Sequence, residues 1–95
     1  MIINGMEQFT SVCKKKLVEW YNQESDVING EVNQKIDLSK VFVVWSCKTL
    51  QNYKALLSTT VSGDGIYVEY TFNGDKSELY QDVYKKVDNT CITEE

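Results

Sequence analysis

Residues 66–72, Ile66-Tyr67-Val68-Glu69-Tyr70-Thr71-Phe72, alternate without a break. Ile66, Val68, Tyr70 and Phe72 fall on one side, and Tyr67, Glu69 and Thr71 on the other. That is the period of a strand with one buried face. Two more runs precede it. Val41 to Lys48 is β-branched and aromatic, as is much of Tyr53 to Val61. Together they predict three consecutive antiparallel strands.

Register follows from the faces, because a slip of one residue moves every side chain across the sheet. A three-residue loop, Leu50-Gln51-Asn52, with Asn52 left-handed, puts Val41, Val43, Trp45 and Cys47 beside Tyr53, Ala55, Leu57 and Thr59. A two-residue loop would send Lys54 into the core at a high desolvation cost. A four-residue loop, Ser62-Gly63-Asp64-Gly65, adds Ile66, Val68, Tyr70 and Phe72 to the same wall. The other face then carries Phe42, Thr60 and Tyr67 in one row, and Val44, Ser58 and Glu69 in the next. Ser46, Leu56 and Thr71 follow, with Lys48 and Lys54 at the end. A face meant only for water has no need of Phe42, Val44 and Leu56.

Helices are expected on both sides of this sheet in the chain. Met6, Phe9, Cys13, Leu17, Trp20 and Tyr21 recur at three- and four-residue steps, which predicts a helix from about Met6 to Asn22. Asn4 with Glu7 reads as its capping box. After Asn73-Gly74, Asp75 with Glu78 repeats that pattern, and Leu79, Val83 and Val87 form a stripe that predicts a second helix. Residues 23–39 are polar, with a short edge strand expected over 31–36. The fold class is therefore α+β: two layers, ordered helix, three-stranded antiparallel sheet, helix. At 95 residues this is one domain, 1–95, with one core.

Composition excludes more than it assigns. The chain has no His, the commonest general base and metal ligand, and all ten basic residues are Lys. Cys13, Cys47 and Cys91 are too few and too far apart for a disulfide framework or a zinc site. Neither a nucleophile–base pair nor a metal or cofactor motif stands out, so the expectation is a non-enzyme without cofactor. A net charge of −4 argues against binding nucleic acid through counterion release. No apolar run approaches the roughly 20 residues of a membrane span, and the start Met1 to Gly5, without a basic or apolar region, gives no expectation of a secretory signal. A cytoplasmic location with reduced thiols is expected. Asn73-Gly74-Asp75-Lys76, at the start of the expected second helix, reads as an anion site with Lys76 supplying charge.

The stretches VVWSCKTLQNYKALLSTTV (Val43 to Val61) and YVEYTFNGDKSELYQDVYKK (Tyr67 to Lys86) carry a resemblance. Trp45, the turn Lys48 to Asn52, the run Lys54 to Thr60, Glu69, Asn73-Gly74 and the Tyr80/Tyr84 pair are its elements. They resemble a family of small proteins encoded by phages and prophages of Gram-positive bacteria. The resemblance implies a phage origin and a role in binding host machinery. The expected function is a non-enzymatic antagonist of a bacterial defence or regulatory system. It would bind a host protein or sequester a phosphorylated, nucleotide-like ligand, the latter as a homo-oligomer whose interfaces enclose the ligand. Phe42, Val44, Leu56 and Tyr67, ringed by Lys48, Lys54 and Glu69, would take the protein. For the ligand, Lys48, Lys54 and Lys76 would supply charge, Asn52, Thr59 and Thr60 hydrogen bonds, and Trp45 or Tyr67 a stacking surface. Alternatives are a nucleic-acid-associated phage accessory protein and a structural or assembly protein.

Overall fold

The expected helical face is the one that seats the sheet. In a computed structural model, which describes residues 1–29 and 35–94 with side chains omitted for 25–29, α1 spans Met6–Asn29. Glu24 interrupts it with non-helical dihedrals. Phe9, Cys13, Leu17 and Tyr21 are fully buried on one stripe, with Met6, Val18 and Trp20 packed at its margins. The helix start uses Gln8 rather than the expected Asn4–Glu7 pair. Asn4 N–H donates to Gln8 Oε1 at 2.8 Å, and Gln8 Nε2 donates back to Ile2 O at 3.0 Å. The expected edge strand over 31–36 falls mostly outside the described residues. Its end, Ile36, is buried and held by both polar atoms of the Asn22 carboxamide.

Four strands form one antiparallel meander in chain order: β1 Val41–Thr49, β2 Asn52–Thr59, β3 Ile66–Asn73 and β4 Glu78–Lys85. A short 3-10 turn, Leu38–Lys40, leads into β1. The helix lies mainly over β1 and β2. The alternation of β3 holds at every residue, with Ile66, Val68, Tyr70 and Phe72 buried against the helix layer. Tyr53, Ala55 and Leu57 of β2 join them, and Phe9 stacks on Tyr53 at 5.3 Å between ring centroids.

The second helix is corrected: Glu78–Lys85 is β4, paired with β3 from Asn73↔Glu78 to Ile66↔Lys85. Spacing by four satisfies both periods, since residues 79 and 83 share a face of a strand as well as a helix. Tyr80, Val83 and Tyr84 favour the strand, and the ladder of β3 supplies the partner. Asn73, not Asp75, closes the turn, its Oδ1 accepting from the N–H groups of Asp75 and Lys76 at 3.1 and 3.3 Å.

Register in the first hairpin is also corrected. The loop has two residues, Leu50 and Gln51, since Thr49 pairs with Asn52. Left-handed φ falls on Leu50, at +55°, not on Asn52. Lys54 nevertheless stays out of the core, because β1 bulges: Val43 pairs with Leu57 and Trp45 with Leu56, leaving Val44 extra. The bulge turns Trp45 and Cys47 away from the helix and brings Ser46 and Lys48 to its side. The second hairpin connects through 60–65, with Ser58 rather than Thr60 opposite Tyr67. That shift is two residues, so the faces are unchanged.

Candidate functional site

With one helix on one side, the other side of the sheet is left open by every described element. Register places Phe42, Ser58, Tyr67 and Tyr84 across its first row. Trp45, Leu56, Glu69 and Asp82 make the second, and Cys47, Lys54, Thr71 and Tyr80 the third. Phe42, Trp45, Tyr80 and Tyr84 are 42, 41, 52 and 53% exposed, a degree that places large rings against water on a rigid support. Lys54 Nζ stands 3.6 Å from Glu69 Oε1. With Lys54 43% and Glu69 23% exposed, the pair is partly screened and adds modestly to stability, but it fixes a charge of each sign among the rings.

Of the sequence-derived candidates, Phe42, Trp45, Lys54, Leu56, Tyr67 and Glu69 meet on this face. Val44 sits at the bulge beside them, 44% exposed. Trp45 arrives there because of the bulge, having been expected on the core side. Asn52 ends the face at the hairpin tips, where its Oδ1 accepts from Gly74 N–H at 3.3 Å. Three candidates lie elsewhere. Lys48 is on the helix side, its Nζ 5.5 Å from the Tyr53 ring centroid. Thr60 lies past the end of β2, its N–H bonded to Lys40 O at 2.8 Å. Lys76 belongs to the β3–β4 turn, so no helix N-terminus exists there to bind an anion.

Tyr80, Asp82 and Tyr84 are the residues missed as part of the face. Their signal was present as alternation through Tyr80-Gln81-Asp82-Val83-Tyr84, hidden by the competing helical stripe. At the end of the first row, Tyr67, Lys85, Lys86, Ser58 and Thr59 line a cleft of 230 Å³. Asp64 also lines it, buried, accepting from Thr59 Oγ1 and from Ile66 N–H at 3.0 Å. Among the described residues no cluster of three or more His, Cys, Asp or Glu side chains could hold a metal. No described helix is long and apolar enough to cross a membrane. A family model described as "Family of unknown function (DUF6275)" matches residues 10–94. No curated protein and no solved structure matches the chain.

Proposed function

We propose that this chain, which belongs to that family of unknown function, is a non-enzymatic binding protein whose open sheet face docks onto a partner protein. The observation that carries the reading is the set of four rings, Phe42, Trp45, Tyr80 and Tyr84, exposed on a sheet face that no described element covers. Rigid aromatic side chains lose little entropy on binding and dominate interface energetics. The Lys54–Glu69 pair and Asp82 supply a polar frame. Joined to the phage resemblance of Val43–Val61 and Tyr67–Lys86, the face fits a protein that occludes a component of a bacterial defence or regulatory system in the host cytoplasm.

The test compares proteins retained from bacterial host lysate by the native chain, by a Trp45→Ser/Tyr84→Ser variant and by a helix-surface control, Lys15→Ser. A partner retained by native chain and control but lost by the face variant is the expected result. A partner held equally by all three places the contact elsewhere and ends this reading.

A second reading has its own observation, the cleft beside Tyr67 with Lys85 and Lys86 on its wall. Its size and Lys86 suit one phosphorylated group of a small ligand, the Asp64 carboxylate being turned to the bonds that Thr59 Oγ1 and Ile66 N–H donate to it. Mass spectrometry of small molecules released from the purified protein tests it, and their loss in Lys86→Ala is the expected sign.

A further inference from the structure

The two edges of the sheet are built differently. The β1 edge is broken by the bulge at Val44, a feature that discourages further pairing. The β4 edge has no such protection: its register with β3 is unbroken over all eight residues, and it contains neither Gly nor Pro. Lys86 N–H donates inward to Gly65 O at 2.7 Å. Backbone direction alternates along a strand, so Lys86 and the even-numbered residues of β4 face β3. Leu79, Gln81 and Val83 therefore direct their N–H and C=O groups out of the sheet. Side chains on both faces of β4 are also accessible, Tyr80 and Tyr84 on the open side and Val83, 38% exposed, on the other.

We propose that a second copy of this chain occupies the β4 edge, antiparallel, about a two-fold axis through Gln81, giving one continuous eight-stranded sheet. A two-fold axis normal to the sheet can oppose only residues of one face, so the centre must lie on a residue. Pairing length and charge together select which: centring on Leu79 or Val83 pairs only 78–80 or 81–85 of β4, against 78–84 for Gln81. Centring on Asp82 opposes two carboxylates and sets Leu79 against the partner's Lys85. Centring on Tyr80 opposes Glu78 to the partner's Asp82. Centring on Gln81 sets Leu79 against the partner's Val83, Tyr80 against the partner's Asp82 and Glu78 against the partner's Tyr84. That register joins apolar to apolar and carboxylate to phenol, with no like charges in opposition. The outward groups of Leu79, Gln81 and Val83 then form about six backbone hydrogen bonds across the axis. α1 lies away from β4, so it leaves the edge accessible. The pairing is independent of any partner on the open face, which it extends across both copies.

The test uses the full chain with Cys47→Ser and Cys91→Ser, which removes the exposed thiols and leaves Cys13 buried. In that background Gln81→Cys should form an intermolecular disulfide under mild oxidation, because opposed residues have Cα atoms about 5.5 Å apart. Val83→Cys alone should not, since its counterpart lies roughly 13 Å along the partner strand. Leu79→Cys/Val83→Cys together should cross-link again, which keeps the test independent of the Gln81 side chain and its bond to Tyr70. Light scattering of the unsubstituted chain should give twice 10.9 kDa, falling towards the single mass on dilution. A single mass at every concentration overturns the proposal, including the case where the edge awaits a peptide of another protein. Cross-linking of Val83→Cys as fast as Gln81→Cys overturns the register.

Discussion

Leu50 holds a φ of +55° at the first position of a two-residue hairpin loop while leaving 81% of its surface in water. An L side chain in that region is strained, and an exposed one gains little from packing to offset it. Leu50→Gly should therefore raise stability by about 1 kcal/mol in urea unfolding; a loss would mean that the leucine side chain stabilises the turn. Cys13 presents the opposite case. Burial against β1 and β2 pushes its thiol up to about 12 from 9.0, the cost of desolvating a thiolate outweighing its backbone hydrogen bond. Unfolded chains lose that proton from about pH 9, while the folded protein keeps it until about 12. The unfolded state binds fewer protons in this window, so stability falls as pH rises, by at most about 1.4 kcal/mol per pH unit for the one group. Tyr70 adds a fall of the same sign at higher pH, raised mainly by burial and further by Cys13 and Glu19. Cys13→Ala should flatten the decline between pH 9 and 10; an unchanged slope would assign it to other groups. Cys13 was readable as a core residue because its helical neighbours at 9, 17 and 21 are unambiguous. The strain at Leu50 was not, since it follows from a bulge several residues away.

Hairpin tips show how the elements constrain one another. A Cβ added to Gly74 would collide with Gln51 O and lie 2.9 Å from Gln51 Cβ, so the β3–β4 turn presses its backbone against the β1–β2 turn. Asn52 Oδ1 fastens the same junction through Gly74 N–H. Gly74→Ala must part the two tips, and a loss of about 2 kcal/mol is expected, within the range for overpacking a close contact. Thermal unfolding checks it; a variant as stable as the parent would show that the tips move apart freely. This junction also explains which elements the sequence disclosed. β3 was clear because a strand covered on one face shows period two in its side chains alone. β4 was mistaken for a helix because helix-like spacing at 79, 83 and 87 coincides with strand spacing, and its own burial is too slight to mark a face. The bulge at Val44 left no local signature in Val43-Val44-Trp45, three residues that suit a strand in either register.

At the level of the whole molecule, stability and recognition occupy different sides of one sheet. Phe9, Cys13, Leu17 and Tyr21 meet Ala55, Leu57, Val68 and Tyr70, all without exposed surface, in the layer between α1 and the strands. The open side carries Phe42, Trp45 and Tyr84, each about half in solvent and under no described element. Strand alternation disclosed the surplus of apolar groups on that side, and six of the expected candidates do gather there. Its extent was hidden, because Tyr80 and Tyr84 depended on the identity of β4 and Trp45 on the bulge. Removing these rings should therefore separate the two properties. Phe42→Ser/Trp45→Ser/Tyr84→Ser loses only the partial burial and strand preference of three half-exposed rings, so each change should cost about 1 kcal/mol. Leu57→Ala on the opposite side leaves a cavity and should cost about 2–5 kcal/mol by itself. Urea unfolding of the two variants, read beside binding of a hydrophobic dye, distinguishes the cases. The triple variant should lose less per ring than Leu57→Ala loses alone, while binding less dye, since an accessible apolar patch has gone. A loss per ring as large as that of Leu57→Ala would instead make the open side part of the core, buried in the folded protein by contacts of its own.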